Sequence, residues 1–113
     1  MRKENSTNTL NKRQMEMDCG MSYTLAAIGG RWKPAILWRL THGKLRYSVL
    51  RDAIPQVTER MLVLQLRELE KDGLIKRIVY AEVPPRVEYE LTAKGKSLTP
   101  ILQNLSDWGE KNR

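Results

Sequence analysis

Arg60, Leu64, Arg67 and Lys71 recur three and four residues apart, so on a helix they share one face. With Leu62 at zero on a 100° wheel they fall at about 140 to 200°, opposite a stripe of Leu62, Leu66 and Leu69. An arginine offers a fork of donors that matches guanine O6 and N7, and a leucine side chain can meet a thymine methyl. Projected together from one rigid element, these groups suit the reading of base edges in a DNA major groove. Arg86 follows Pro84-Pro85 in a hairpin just beyond, a position suited to the DNA backbone or the minor groove.

The acids of the same helix stand aside from that face, Glu59 and Glu70 on one flank and Glu68 and Asp72 on the other. Arg67 and Lys71 form an i,i+4 pair of like charge, mildly destabilising unless an external anion meets it. A plain alternative is a solvated face on an ordinary amphipathic helix. The elements on either side decide against it.

Those elements can be read from spacing and punctuation. Ser22 is expected to cap a short helix through Ile28, broken at Gly29-Gly30. Trp32, Ile36, Leu37 and Leu40 recur at helical spacing, with Pro34 in the first turn and His42-Gly43 as the stop. A short helix is expected over Arg46 to Ile54, with Tyr47, Leu50 and Ile54 inward and Pro55 ending it. Thr58 then caps the helix that carries Arg60 to Lys71, and Gly73 stops it in the left-handed region. Leu74 to Val83 and Val87 to Leu91 are rich in Val, Ile and Tyr and read as antiparallel strands. Thr92 caps a last helix bearing Leu98, Ile101, Leu102, Leu105 and Trp108, with Gly95 and Pro100 disturbing its first turns. Helix, turn, helix and basic hairpin in that order outline a winged helix-turn-helix, mainly α with a small antiparallel β wing. The expected organisation is an N-terminal arm over 1–17, a DNA-binding core over 18–92 and a C-terminal helix over 93–113.

The bulk numbers agree. The chain has 113 residues, enough for one modest core, and a net charge of +7 that favours an acidic partner. Arg31, Lys33, Arg39, Lys44, Arg46 and Arg51 face the single acid Asp52 over residues 22–54, whereas residues 55–73 are close to neutral. Net field alone therefore points to the middle of the chain, and only the segregation of charge around the later helix points to that helix. No apolar run approaches the roughly 18 residues that span a bilayer. No apolar stretch follows the basic N-terminus, so a secretory signal is not expected. One Cys and one His exclude an internal disulfide and the usual His/Cys zinc sites, which fits a reducing cytoplasm and no metal or cofactor. His42 has no nucleophile beside it in sequence, and no catalytic constellation appears, so an enzyme is not expected.

A series of motifs runs from Cys19 to Trp108: Ile28-Gly29-Gly30-Arg31-Trp32-Lys33, Arg46-Tyr47-Ser48-Val49-Leu50, Glu59-Arg60-Met61-Leu62, Gln65-Leu66-Arg67-Glu68-Leu69-Glu70 and Asp72-Gly73-Leu74-Ile75. The clearest is Tyr80-Ala81-Glu82-Val83-Pro84-Pro85-Arg86-Val87-Glu88-Tyr89, and Leu91-Thr92 follows it. In order and at these spacings the chain closely resembles the HxlR-type branch of winged helix-turn-helix regulators, related to the MarR group. The resemblance implies a homodimeric bacterial transcription factor on an inverted-repeat operator, joined mainly through the terminal helices by Leu98, Ile101, Leu102, Leu105 and Trp108. It implies Arg60, Leu64 and Arg67 in the major groove, with Thr58 and Gln65 near its edges. Lys44, Arg46 and Ser48 are then phosphate contacts, and Arg86 works at the wing tip.

Cys19 lies where several HxlR-type proteins carry a thiol that responds to oxidants or electrophiles. A helix N-terminus favours the thiolate, while Asp18 beside it works against one, and Gly20 stands where such proteins often have Pro. A small buried hydrophobe is the alternative for this residue. Two other functions remain open on sequence: a winged helix turned to protein partners, and a nonspecific architectural DNA binder.

Overall fold

The computed structural model describes residues 19–113. They fall into two compact units, one ending at Gly30 and one running from Arg31 to Arg113. The arm expected over 1–17 lies outside the described residues.

In the first unit, helix α1 spans Gly20–Ile28. Its N-cap is Cys19, not Ser22: the Cys19 sulfur accepts from the Ser22 backbone N–H at 3.3 Å and donates to the Ser22 hydroxyl at 3.1 Å. The thiol occupies the position a capping hydroxyl normally fills, so the cap lies three residues earlier than expected. Gly29 ends it, with its N–H donating to the Leu25 carbonyl at 2.7 Å.

The second unit is mainly α with a three-stranded antiparallel sheet. Helix α2 (Lys33–Arg39) begins with Pro34 in its first turn and passes through a 3-10 turn, Leu40–His42, to Gly43. Strand β1 is only Leu45–Arg46, helix α3 is Tyr47–Ala53 and helix α4 is Glu59–Lys71. Strands β2 (Ile75–Tyr80) and β3 (Arg86–Leu91) form the hairpin, and its Val83–Pro84 peptide is cis. The sheet order is β1-β3-β2. β1 was not expected, and Arg46, read as the start of a helix, instead pairs with Glu88 across β3. Two residues carry no periodicity of their own, so such a strand exists only through its partner.

The core is built from the apolar stripes that periodicity marks. Ile36, Leu37 and Leu40 from α2 and its turn, Leu50 from α3, and Leu62, Leu66 and Leu69 from α4 are essentially inaccessible, with Leu74 and Ile75 at the foot of β2. Removing any of these leucines would cost about 2 to 5 kcal/mol. The α4 helix is held at both ends. The Thr58 hydroxyl oxygen accepts from the Met61 N–H at 3.1 Å, and Gly73 takes φ +76° beyond its C-terminus.

The single last helix expected after Thr92 is two: α5 (Ala93–Lys96) and α6 (Thr99–Asn112). Thr92 caps α5 by accepting from the Gly95 N–H at 3.1 Å, and Lys94 donates to the Asp72 carbonyl at 2.9 Å. Gly95 lies so close to the Leu74 carbonyl oxygen that a Cβ there would collide with it. Pro100 then opens α6 in its first turn, where its missing N–H is tolerated. With these contacts and the burial of Leu102, α5 and α6 belong to the same compact unit as the wing.

Candidate nucleic-acid interface

α3, the turn through Thr58, α4 and the β2–β3 hairpin form a helix-turn-helix with a wing, in chain order. Arg60, Leu64, Arg67 and Lys71 are all exposed on α4, and Leu64 keeps 47% of its surface in solvent. Neighbouring elements draw two of the four flanking acids aside, one on each flank. Arg51 of α3 holds Glu59 at 3.2 Å, and Lys33 of α2 holds Glu68 at 2.7 Å. Lys33 is itself buried, its side chain 9% exposed, so this pair pins α4 against α2 as well as removing a carboxylate. Among the described residues, Arg60, Arg67 and Lys71 have no ion-pair partner.

A cleft of about 840 Å³ opens between α4 and the hairpin. Of the residues expected to meet DNA, Arg46, Ser48, Arg67 and Arg86 line it, while Lys44, Thr58, Arg60, Leu64 and Gln65 do not. Gln65 is half-buried and its amide donates to the Met61 sulfur at 3.3 Å, along its own helix. Sequence reasoning missed Arg77, which stands opposite Tyr89 in the β2–β3 register and lines the cleft. Strand alternation was legible, but which face of β2 is inward depends on the pairing with β3. Arg46, Arg67 and Arg77 thus reach one concave surface from three elements, all without an ion pair among the described residues. Glu70 and Glu82 also line it, so the positive field has acid edges. Burial pushes the Tyr47 phenol at the cleft wall above its usual range, with Glu59 adding to the shift.

The wing differs from expectation at Arg86. It opens β3 and does not sit at the tip. Its guanidinium lies 3.9 Å over the Tyr80 ring, 3.3 Å from Glu82 and 3.5 Å from Glu88. The tip itself is apolar, with Val83 fully exposed beside Pro84 and Pro85. Lys44 donates to the Tyr80 hydroxyl at 3.2 Å, and that hydrogen bond, with Glu88 close by, raises the Lys44 pKa.

The terminal stripe divides. Leu102 is buried in its own chain and Leu98 is half-buried, whereas Ile101, Leu105 and Trp108 are 44%, 55% and 70% exposed. Cys19 is also exposed. Among the described residues there is no group of three His, Cys, Asp or Glu that could hold a metal, and no helix long and apolar enough to cross a membrane.

The HxlR-like helix-turn-helix family matches residues 27–113. The chain is 52% identical over 93 residues to YdeP, an uncharacterised HTH-type transcriptional regulator of Bacillus subtilis (strain 168), covering 82% of this chain and 73% of that one. It is 58% identical over 86 residues to YtcD of the same organism, also an uncharacterised HTH-type transcriptional regulator, covering 76% of this chain and 68% of the other. Among solved structures, the redox regulator HypR in its oxidized form superposes with a TM-score of 0.80 at 48% identity, covering 84% of this chain and 98% of that one.

Proposed function

This chain belongs to the HxlR-like helix-turn-helix family and is a helix-turn-helix transcriptional regulator, not an enzyme; on that premise we propose that it acts as a homodimer on an inverted-repeat operator. The observation that carries the reading is the state of α4. Among the described residues its outward cations have no ion-pair partner, while two of its flanking acids, Glu59 and Glu68, are bound by α3 and α2. Arg60, Leu64 and Arg67 would read base edges in the major groove, with Thr58 and Gln65 near its rim. Arg46, Ser48 and Arg77 would take phosphates along the cleft and Lys44 would take one outside it, and the wing would lie against the neighbouring groove.

Two recognition helices on a palindromic site require a two-fold dimer. The exposed Ile101, Leu105 and Trp108 on α6 supply an apolar surface for it, continuing the stripe of half-buried Leu98 and buried Leu102. A regulator of this kind would work in the cytoplasm, where its DNA is.

Regulation through Cys19 is part of the proposal. The thiol is exposed, and a close structural relative is a redox regulator. Oxidation would join two Cys19 thiols from different chains, or one with a small thiol, with two electrons and two protons passing to the oxidant. Replacing Cys19 by Ser should abolish any effect of diamide or peroxide on DNA release, and an unchanged response would remove the idea.

Binding selection from a random duplex pool, with reduced protein, tests the whole reading. A two-fold symmetric site is the expected product. Retained DNA without an enriched sequence would instead mark an architectural binder. No retention at low salt would mean that the exposed faces meet protein.

A further inference from the structure

The wing carries a cluster of charge centred on Glu88, whose side chain is 13% exposed. The Tyr80 hydroxyl of β2 donates to its carboxylate at 3.0 Å. Lys44, from the loop before β1, donates to that hydroxyl and stands 3.9 Å from the same carboxylate oxygen. Arg86 reaches the other oxygen at 3.5 Å while stacking on Tyr80 and touching Glu82 on the way to the tip. The register explains why these groups meet: Tyr80 faces Arg86 across the hairpin, and Glu88 faces Ile78 on one side and Arg46 on the other. One carboxylate thus gathers groups from the loop before β1, from β2 and from β3.

We propose that Glu88 and Arg86 are positioning residues, forming a clasp that sets the pose in which the wing meets DNA, and that Arg86 acts through this clasp instead of entering the groove. The proposal rests on the DNA-binding reading given under Proposed function. An isolated two-stranded hairpin is marginal in water, and β1 adds only two paired residues, so the direction of this wing needs further cross-links. The charges of Lys44 and Arg86 are cancelled by Glu82 and Glu88, which leaves the cluster close to neutral. Among the described residues Arg67 and Arg77, which also line the cleft, have no ion-pair partner, whereas Arg86 stacks on Tyr80 and is paired with Glu82 and Glu88, though its buried Nε makes no hydrogen bond. The part of the wing left bare is Val83 with its two prolines, an apolar tip fit to press against sugars in a narrow groove.

The sign of one substitution separates the clasp from simple electrostatics. Glu88→Gln removes a negative charge beside a polyanion, which by long-range attraction alone should tighten binding. The clasp requires the opposite. Operator duplex recovered by the selection is titrated at several salt concentrations with full-length wild type, Glu88→Gln, Arg86→Ala, the double variant and Tyr80→Phe, and amide hydrogen exchange is followed on each free protein. Glu88→Gln and Arg86→Ala should each weaken binding about ten-fold, and the double variant should be no worse than the weaker single, as coupled residues require. The salt slope of Arg86→Ala should match wild type, since no phosphate contact is lost. Exchange should quicken over residues 79–87 and stay unchanged in α4. Tyr80→Phe keeps the ring beneath Arg86 and should weaken binding only about two- to three-fold.

Equal or tighter binding by Glu88→Gln, unchanged exchange in the wing, or a salt slope lower by about one ion in Arg86→Ala would each overturn the clasp. Wild-type protein that binds no duplex at low salt would overturn the DNA reading and the clasp's purpose with it, a result visible before any variant is made.

Discussion

Helix α4 and the wing hold similar residue types in opposite states. On α4 two of the three acids are taken up, Glu59 by Arg51 and Glu68 by Lys33, and among the described residues the cations have no ion-pair partner. On the wing, Glu82 and Glu88 engage the cations Arg86 and Lys44, and an apolar tip is left open. Neither state follows from counting charges, because α4 sums to near neutrality although its working face is positive. What matters is which charges neighbouring elements have already used. The helix therefore offers directional donors that distinguish bases, while the wing offers shape and a hydrophobic contact that do not.

The largest effect that could break this contrast lies in stability. Glu68→Ala would leave the Lys33 ammonium buried without its carboxylate, and unfolding in urea should show a loss of about 3 kcal/mol. Glu68 is half exposed, so the low end of the range for buried pairs applies. Lys33→Met removes the charge and fills much the same space, and should cost no more than about 1 kcal/mol. If the two substitutions cost the same small amount, Lys33 is reached by water and the acid is not held aside.

Next comes Arg67→Ala, which should weaken operator binding by about 2 kcal/mol and relax preference at one base position. A uniform loss across all sequences would make Arg67 a phosphate contact and move it to the same class as the cleft arginines. Smallest is Arg77→Ala. It should lower the salt slope by about one ion and weaken binding equally for operator and random DNA. A loss confined to the operator would show that the wing side of the cleft reads sequence as well, and the contrast with α4 would narrow.

Much of this was legible in the residues. The Leu62, Leu66 and Leu69 stripe, the Thr58 cap and the Gly73 stop all appear where spacing placed them, with helix ends shifted by a residue. The hairpin and the fold class were equally plain. Arg86 was misplaced at the tip because the strand was read as starting at Val87, and nothing nearby in sequence reveals that Tyr80 and two glutamates bind it. Ser22 carries the hydroxyl that marks a cap in sequence, whereas the Cys19 thiol that caps the helix is a rare capping group and gives no such signal.

The sequence by itself determined the elements whose signals are local: helical stripes, caps and stops act within about four residues, so they can be read along the chain. It determined as well that α4 presents Arg60, Leu64, Arg67 and Lys71 together. Only the tertiary structure decided the two-residue β1, the face of β2 that carries Arg77, and the pairing of each acid. Strand register and ion pairs join residues far apart in sequence, and a shift of one position would turn every side chain of a strand to its other face. Which cations are free to meet DNA is therefore a property of the fold.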